Sequence, residues 1–425
     1  MSGKIKYINA SEYPKEVLSK GLVAVDWYST ECPPCEALAA KFEPLSEIYG
    51  DHIQFIKIFR QENRELADQL DIHSSPTVLF YKDGQLVGDR LNGGIKRSEL
   101  EANLNSMLSD ETVKAIKNKI KITKTNCDVI ILGGGPSGLA AAIYTSQAKL
   151  NTIIIDTALP GGQVKTTHLV SNYPGFIEPV QGFMLGHYMS EQAKEAGASY
   201  RAAVDITNIN FNELTVTVDG IETIHGKKLI VATGASPRPL GIKGETEYKG
   251  QGISYCATCD AKYYKDKEVI VIGGGNSAIE EALFIAKFAS KITIVHQFAT
   301  LQANKQAQEK AFADSKIKFI FEHEPREFVK TSRGMDVVIE DLKTKKMRTL
   351  STDGVFVFVG MKPNIEEIKD QFNLDKWGYI ETDENMLTKL PNVYAVGDVR
   401  SKQYRQITTA VSDGTIASIA ISKQL

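Results

Sequence analysis

The sequence predicts an α/β chain: a small N-terminal unit built around a dithiol, then two larger strand–helix–strand units, the second inserted into the first. Three observations predict it. Glycine-rich loops recur at Gly133-Gly-Gly-Pro-Ser-Gly138 and Gly273-Gly-Gly-Asn-Ser-Ala278, each running from an apolar strand into a helix. Two Cys-x-x-Cys pairs, Cys32-Pro-Pro-Cys35 and Cys256-Ala-Thr-Cys259, stand in different settings. The length, 425 residues, suits about three domains of ordinary size.

Composition narrows the classes. Hydrophobic residues at 42% and charged ones at 24% are globular values, and a net charge of -2 argues against a nucleic-acid or membrane footprint. No apolar run approaches the ~18–20 residues a bilayer needs. The start, Met-Ser-Gly-Lys-Ile-Lys-Tyr7, lacks a signal-peptide core, so a soluble cytoplasmic protein is expected. Five cysteines divide as two pairs and Cys127. In a reducing compartment, paired cysteines are more often catalytic or metal-binding than structural. A shared zinc site is disfavoured because roughly 220 residues separate the pairs, against the usual ~15–20. No metal is expected.

Leu22-Val-Ala-Val-Asp-Trp-Tyr28 reads as a short strand with an acid, Asp26, in its middle. It runs into Cys32-Pro-Pro-Cys35 and then a helical pattern from Glu36. That order suits redox chemistry. A helix N-terminus lowers the first thiol's pKa through its dipole and amide N–H groups, and the second cysteine, a turn further in, resolves. The two prolines restrict the loop and leave little entropy to lose on ring closure. Downstream, His52–Ile58 alternates as a strand, Ser75-Pro76-Thr77 begins another, and Asp83-Gly84 marks a hairpin turn.

Over about residues 4–108 this stretch resembles thioredoxin. The resemblance implies that Asp26 is a buried proton-relay carboxylate, Pro76 a cis-proline facing the dithiol, and Gly93 or Gly94 the late glycine. Two departures stand out. The usual Cys-Gly-Pro-Cys is here Cys-Pro-Pro-Cys, and the tryptophan before the first cysteine is Glu31, whose carboxylate disfavours the Cys32 thiolate and repels acidic partners.

Residues 109–126 form a polar, lysine-rich linker with Val113, Ile116 and Ile120 at helical spacing. It would reach about 27 Å as a helix or nearly 60 Å extended. Tethering would raise the effective dithiol concentration to roughly the mM range, which makes the chain's own dithiol an economical substrate.

The strand Cys127–Leu132, the loop glycines Gly133, Gly135 and Gly138, a helix from Leu139, and the strand Thr152–Asp156 complete a dinucleotide-binding fingerprint. The helix N-terminus receives the phosphates and Asp156 a ribose. Cys127 is expected simply to pack at its strand start. Further elements, Gly161-Gly162-Gln163, Asn172-Tyr-Pro-Gly175, Ala232-Thr233-Gly234, Gly397-Asp398 and Arg405-Gln406, resemble the low-molecular-weight thioredoxin reductases in identity and order. That resemblance, over about residues 127–425, implies FAD, with Asp398 on its ribityl chain and Gln406 near its ring system, and a homodimer.

Lys267–Ile272 opens a second fingerprint, with Gly273, Gly275, Asn276, Ser277 and Ala278, a helix, and the strand Lys291–His296. The fold class expected is therefore an N-terminal thioredoxin fold followed by two Rossmann-like three-layer domains. Their bounds are 1–108, a linker at 109–126, 127–240 with 365–425 for FAD, and 241–364 for the nicotinamide. By resemblance, Cys259 faces the flavin, Cys256 attacks the outgoing disulfide, and Asp260 handles the thiol proton.

NADPH-specific reductases place His-Arg-Arg and a further arginine after that strand. Here the segment reads His296-Gln297-Phe298, with Gln302 at the later position and Lys305 beyond. A 2′-phosphate would lose several charge-assisted hydrogen bonds, each worth roughly 1.5–3 kcal/mol. The pattern is similar to the NADH-using flavoprotein of alkyl hydroperoxide reductase. NADH is favoured over NADPH by elimination, since no acid grips the free 2′-hydroxyl.

The leading expectation is a disulfide oxidoreductase that passes electrons from NADH through FAD and Cys256/Cys259 to its fused dithiol Cys32/Cys35, and on to a disulfide client such as a peroxiredoxin. Alternatives are a peroxiredoxin reductase, disfavoured because that family has two tandem thioredoxin folds, and a ferredoxin-dependent flavin thioredoxin reductase. A redox-sensing docking protein would need neither Asp26 nor Asp260. Relay within one chain or between dimer mates stays open.

Overall fold

The strand Leu22–Tyr28 is buried at all but its two ends, which suits only a central position. In a computed structural model it pairs in parallel with Gln54–Phe59 and antiparallel with Thr77–Lys82, and Ile5–Ile8 and Gln85–Asn92 complete a five-stranded sheet. The structure describes residues 5–166, 170 and 172–425; the side chains of Thr166, Thr258 and Cys259 are outside that description. Asp83 and Gly84 both have positive φ, 51° and 78°, the left-handed pair that a tight hairpin demands.

Two strands start later than the alternation suggests. The amides of His52 and Ile53 both donate to the Tyr49 carbonyl and close a helix instead. Proline has no N–H to give a ladder, so that strand begins at Thr77, just after the cis Ser75–Pro76 bond. The helix Asp110–Lys117, capped by Ser109, lies within the expected linker and buries Ile116 in the thioredoxin-like core. The next strand, Thr123–Leu132, begins four residues before Cys127 because its start pairs with Glu222–His225.

The first dinucleotide unit is a seven-stranded sheet. Its parallel centre comprises Ser199–Ala202, Thr152–Asp156, Thr123–Leu132, Glu222–Val231 and Val393–Ala395. Separate apolar cores cover its two faces, one around Ile130, Ile155 and Val231, the other around Val129, Ile154 and Ile230. Alternate residues of the same strands supply both, which is why these strands read as continuous apolar runs. The second unit is an all-parallel five-stranded sheet with a three-stranded antiparallel layer, His323–Thr331, Gly334–Asp341 and Met347–Thr352, packed on it. The chain passes between the two units twice, and there Ala235–Pro237 pairs antiparallel with Met361–Pro363. Among the described residues no helix is long and apolar enough to cross a membrane.

Candidate dithiol and dinucleotide sites

Cys32 and Cys35 form a disulfide at the start of the helix Pro33–Tyr49. Cys32 caps that helix, its Sγ accepting from the Cys35 amide at 3.3 Å. Cys32 is half-buried and Cys35 buried, so Cys32 presents the sulfur open to attack. The Ser75 carbonyl oxygen lies 3.6 Å from Cys32 Sγ, and the cis Pro76 follows. Gly93 donates its N–H to the Pro76 carbonyl at 3.3 Å, so of the two late glycines it is Gly93 that meets the proline loop.

Asp26 is 1% exposed, and neither of its carboxylate oxygens has a hydrogen-bond partner. Across the ladder stands Lys57, whose ammonium is paired with Glu43 at 2.8 Å. Burial pushes the Asp26 carboxyl up to about 7; the Lys57 charge opposes this and Glu43 adds to it. Below pH 7 the folded chain thus keeps a proton that the unfolded chain has lost by about pH 4. Stability from this group falls as pH rises from about 4 through 7. Asp26→Ala is expected to stabilise the N-terminal sheet by up to about 4 kcal/mol at pH 8.5 and by less at pH 5.5. Urea unfolding followed by Trp27 fluorescence in a Trp377→Phe background measures it. An equal effect at both pH values contradicts the assignment.

The first glycine loop opens a cleft of about 1080 Å³. Gly133, Gly135, Asp156, Gly162 and Gln163 line it, as do Asn172, Thr233 and Gly234. Asp398, Arg405 and Gln406 complete this side. Gly138 and Gly397 do not line it but lie beneath. A Cβ at 138 would sit 2.0 Å from the Gly133 carbonyl oxygen, and one at 397 would sit 2.4 Å from Ser137 Oγ. Gly134, which the spacing argument passed over, is as restricted: a Cβ there would lie 1.5 Å from the Tyr200 hydroxyl, and its N–H donates to Asp156 Oδ2 at 2.7 Å. Tyr200 gave no signal in sequence because it reaches the loop from a neighbouring strand.

The cleft residues fit FAD. Thr233 Oγ1 there is buried without a hydrogen-bond partner, a cost that a ligand hydroxyl or ring nitrogen would remove, and Asp398 Oδ1 has only a long ion pair to Lys402 Nζ at 3.5 Å. Gly135 caps the helix Pro136–Gln147 without a side-chain bond, leaving its first amides for a phosphate. Burial raises the Asp398 carboxyl above its ordinary range, and Lys402 opposes this. Behind it Asp413 joins Gly397 N, Arg400 and Lys402, each at 3.0 Å, a hub invisible to motif reading. Arg405 stacks its guanidinium 3.7 Å from the Tyr379 ring centre.

Cys256 is half-buried and disulfide-bonded; the side chain of Cys259 is outside the described residues. Ser254 Oγ donates to Asp260 Oδ2 at 2.5 Å and accepts from the Cys256 amide at 3.1 Å, which fixes the acid relative to the dithiol loop. Neither Cys256 nor Asp260 lines the cleft, whereas Glu281, from the helix Asn276–Ile285 of the second unit, does. Cys127 is a free, buried thiol that burial pushes up to about 12, consistent with simple packing.

The second glycine loop repeats the first. Gly133 N donates to Ile155 O at 2.8 Å, and Gly273 N to Val295 O at 3.0 Å. A Cβ on Gly134 would meet Asp156, and one on Gly274 would meet the His296 ring at 2.5 Å. His296 therefore stands where Asp156 stands in the first unit. It is buried, its Nε2 has no partner, and burial lowers its pKa, so it is neutral at pH 7. Gln297, Phe298, Gln302 and Lys305 are exposed, and Phe298 packs edge-on to His296. Ala278 is buried under Gly273, while Gly275 faces open space and Asn276 and Ser277 are exposed. Asn276 Oδ1 accepts from the Asn304 amide at 2.6 Å, tying the loop to the next helix.

A dinucleotide cleft and two separate dithiols, one on a thioredoxin-like sheet, define a disulfide oxidoreductase. The model of the pyridine nucleotide-disulphide oxidoreductases matches residues 127–414, and that of the thioredoxins matches residues 4–106. The chain belongs to the pyridine nucleotide-disulphide oxidoreductase family, with a fused N-terminal thioredoxin domain. Its homologues are thioredoxin reductases. It is 41% identical over 296 residues to the thioredoxin reductase of Bacillus subtilis, covering 69% of this chain and 93% of that protein. It is 44% identical over 299 residues to the 34.2 kDa protein in the rubredoxin operon of Clostridium pasteurianum, covering 70% and 97%. The crystal structure of Lactococcus lactis thioredoxin reductase in its FR conformation matches with a TM-score of 0.61 and 37% identity, over 70% of this chain and all of that one. Family membership implies FAD and a pyridine nucleotide.

Proposed function

We propose that the chain carries electrons from NADH through FAD to Cys256–Cys259, then to Cys32–Cys35 and a protein disulfide client. The observation that carries this reading is the pairing, in one chain, of a half-exposed Cys32 disulfide and a half-buried Cys256 disulfide with a cleft that leaves Thr233 Oγ1 unsatisfied. The bounds assigned are 1–108 for the thioredoxin domain, 127–240 with 365–425 for FAD, and 241–364 for the nicotinamide.

Bound FAD supplies hydride acceptance and two-electron reduction of a disulfide. Glu281 meets the cleft and Cys256 does not; in this reading the second unit turns about Ala235–Pro237 and Met361–Pro363 to bring Cys256 and Cys259 to it. The freed Cys256 thiolate then attacks Cys32 Sγ, and the Cys32–Cys35 bond breaks with Cys35 leaving as thiolate. Cys259 attacks Cys256 in the mixed disulfide, restoring that pair and releasing Cys32. Asp26, pushed up to about 7, gives the Cys35 thiolate its proton, and Asp260, held by Ser254, serves the second dithiol.

NADH is the assigned donor by elimination: no guanidinium follows His296 to hold a 2′-phosphate, and His296 itself is neutral. The same loop also suits a donor such as ferredoxin, which needs no nicotinamide grip. A homodimer is supported by Phe176, Ile177, Phe183 and Tyr188, exposed on and just before the helix Gly182–Glu195. A reducing, cytoplasmic setting suits dithiols that must cycle. Anaerobic NADH titration followed by thiol alkylation and peptide mass mapping tests the relay. Two labels are expected on each of the Cys32–Cys35 and Cys256–Cys259 pairs. Labels on the second pair alone would overturn it.

A further inference from the structure

The thioredoxin domain is seated on the FAD domain by the rim that surrounds its dithiol. Lys41 is 4% exposed, and its ammonium donates to Ala37 O and Ile95 O of its own domain and to Ala202 O of the other, at 3.0, 3.1 and 2.9 Å. Lys96 Nζ pairs with Asp205 Oδ1 at 2.8 Å, and Ser98 Oγ donates to Asp205 Oδ2 at 2.5 Å. Lys194 pairs with Glu36, one residue past Cys35, at 3.1 Å. Leu159 lies 3.1 Å from where a Cβ on Gly94 would stand.

This seat adjoins the cofactor cleft. Lys96 lines the cleft together with Asp156, Ala158 and Asp205. The amide of Val204, next to Asp205, donates to the Asp156 carbonyl at 3.2 Å, so Lys96 stands at the Asp156 end. The other cations among the described lining residues are engaged elsewhere. Lys165 donates to Leu159 O at 3.0 Å, and Arg405 stacks on Tyr379. Lys96 is bonded to one carboxylate and its side chain is 34% exposed, leaving donors for a ligand oxygen. The part of FAD expected at the Asp156 end is a ribose, whose oxygens would accept from Lys96 while Lys96 keeps its pair with Asp205.

We propose that the thioredoxin domain forms a wall of the FAD cleft, that Lys96 is a cofactor-binding residue supplied by that domain, and that flavin retention and domain docking are therefore reciprocally coupled. Each state that binds FAD better must be favoured by FAD to the same degree. The domain is drawn to its seat when the cleft is filled, and its departure towards Cys256 loosens the cofactor. This rests on the flavoenzyme reading.

The test uses flavin-stripped full-length protein and equilibrium FAD titration by fluorescence. Lys96→Ala should raise the FAD dissociation constant about tenfold, the loss of one charge-assisted hydrogen bond. Glu36→Gln, which loosens the seat without touching the cleft, should raise it by a smaller factor. Small-angle scattering should show the flavin-free wild type more extended than the loaded one. An unchanged constant in Lys96→Ala, or identical scattering with and without FAD, would overturn the coupling. A wild type that binds no FAD would instead overturn the flavoenzyme reading itself.

Discussion

Serine in place of Cys256 is expected to leave the flavin reducible by NADH while cutting reduction of Cys32–Cys35 by at least about 10³-fold. Exchange needs a thiolate attacking a sulfur, and a serine hydroxyl is not ionised at neutral pH. Ser254 Oγ donates to Asp260 and accepts from the Cys256 amide, neither bond using the Cys256 side chain, so the substitution leaves that local geometry intact. Flavin absorbance and alkylation of Cys32 and Cys35, read in the same anaerobic sample, separate the two steps. Undiminished labelling of Cys32 and Cys35 in Cys256→Ser would mean that electrons reach the thioredoxin domain without the second dithiol.

Nicotinamide choice is the second large effect. NADH is expected to exceed NADPH in kcat/KM by on the order of 10²-fold, the factor that two missing charge-assisted hydrogen bonds of about 1.5 kcal/mol each would produce. The expectation rests on the surroundings of the second loop: the place held by Asp156 in the first unit is held by a buried, neutral His296, and Gln297, Phe298 and Gln302 are uncharged and exposed. Installing Gln297→Arg, Phe298→Arg and Gln302→Arg together should shift preference towards NADPH. Steady-state rates with each nucleotide decide it. Equal use of both by the wild type would show another residue gripping the phosphate, and Lys305 is the first to test.

Both dithiols and both glycine loops were legible because their chemistry is local. A strand that must turn sharply into a helix beside a phosphate needs glycines at fixed spacing, and a redox ring needs two cysteines one helical turn apart. Asp26, Pro76 and Asp156 could be read for the same reason, each lying in or beside a recognisable strand. The exclusion of Gly138 and Gly397 from the cleft wall was not legible. Spacing says that a side chain has no room, but not whether a ligand or Ser137 takes that room. The early start of Thr123–Leu132 also escaped, because its polar first half is held by pairing with a strand about a hundred residues away.

What the sequence determined by itself is the local motifs: two Cys-x-x-Cys pairs, two glycine loops that each join a strand to a helix, and the lack of an arginine clamp after His296. Only the tertiary structure decided how these parts meet. It set Ser254 on Asp260, Tyr200 over Gly134, Asp413 behind Asp398, and Lys41 and Lys96 across the junction of two domains. Short-range patterns carry backbone geometry, whereas contacts between distant segments depend on how whole sheets pack, and a lysine bound for a buried junction has the same local signature as one bound for water.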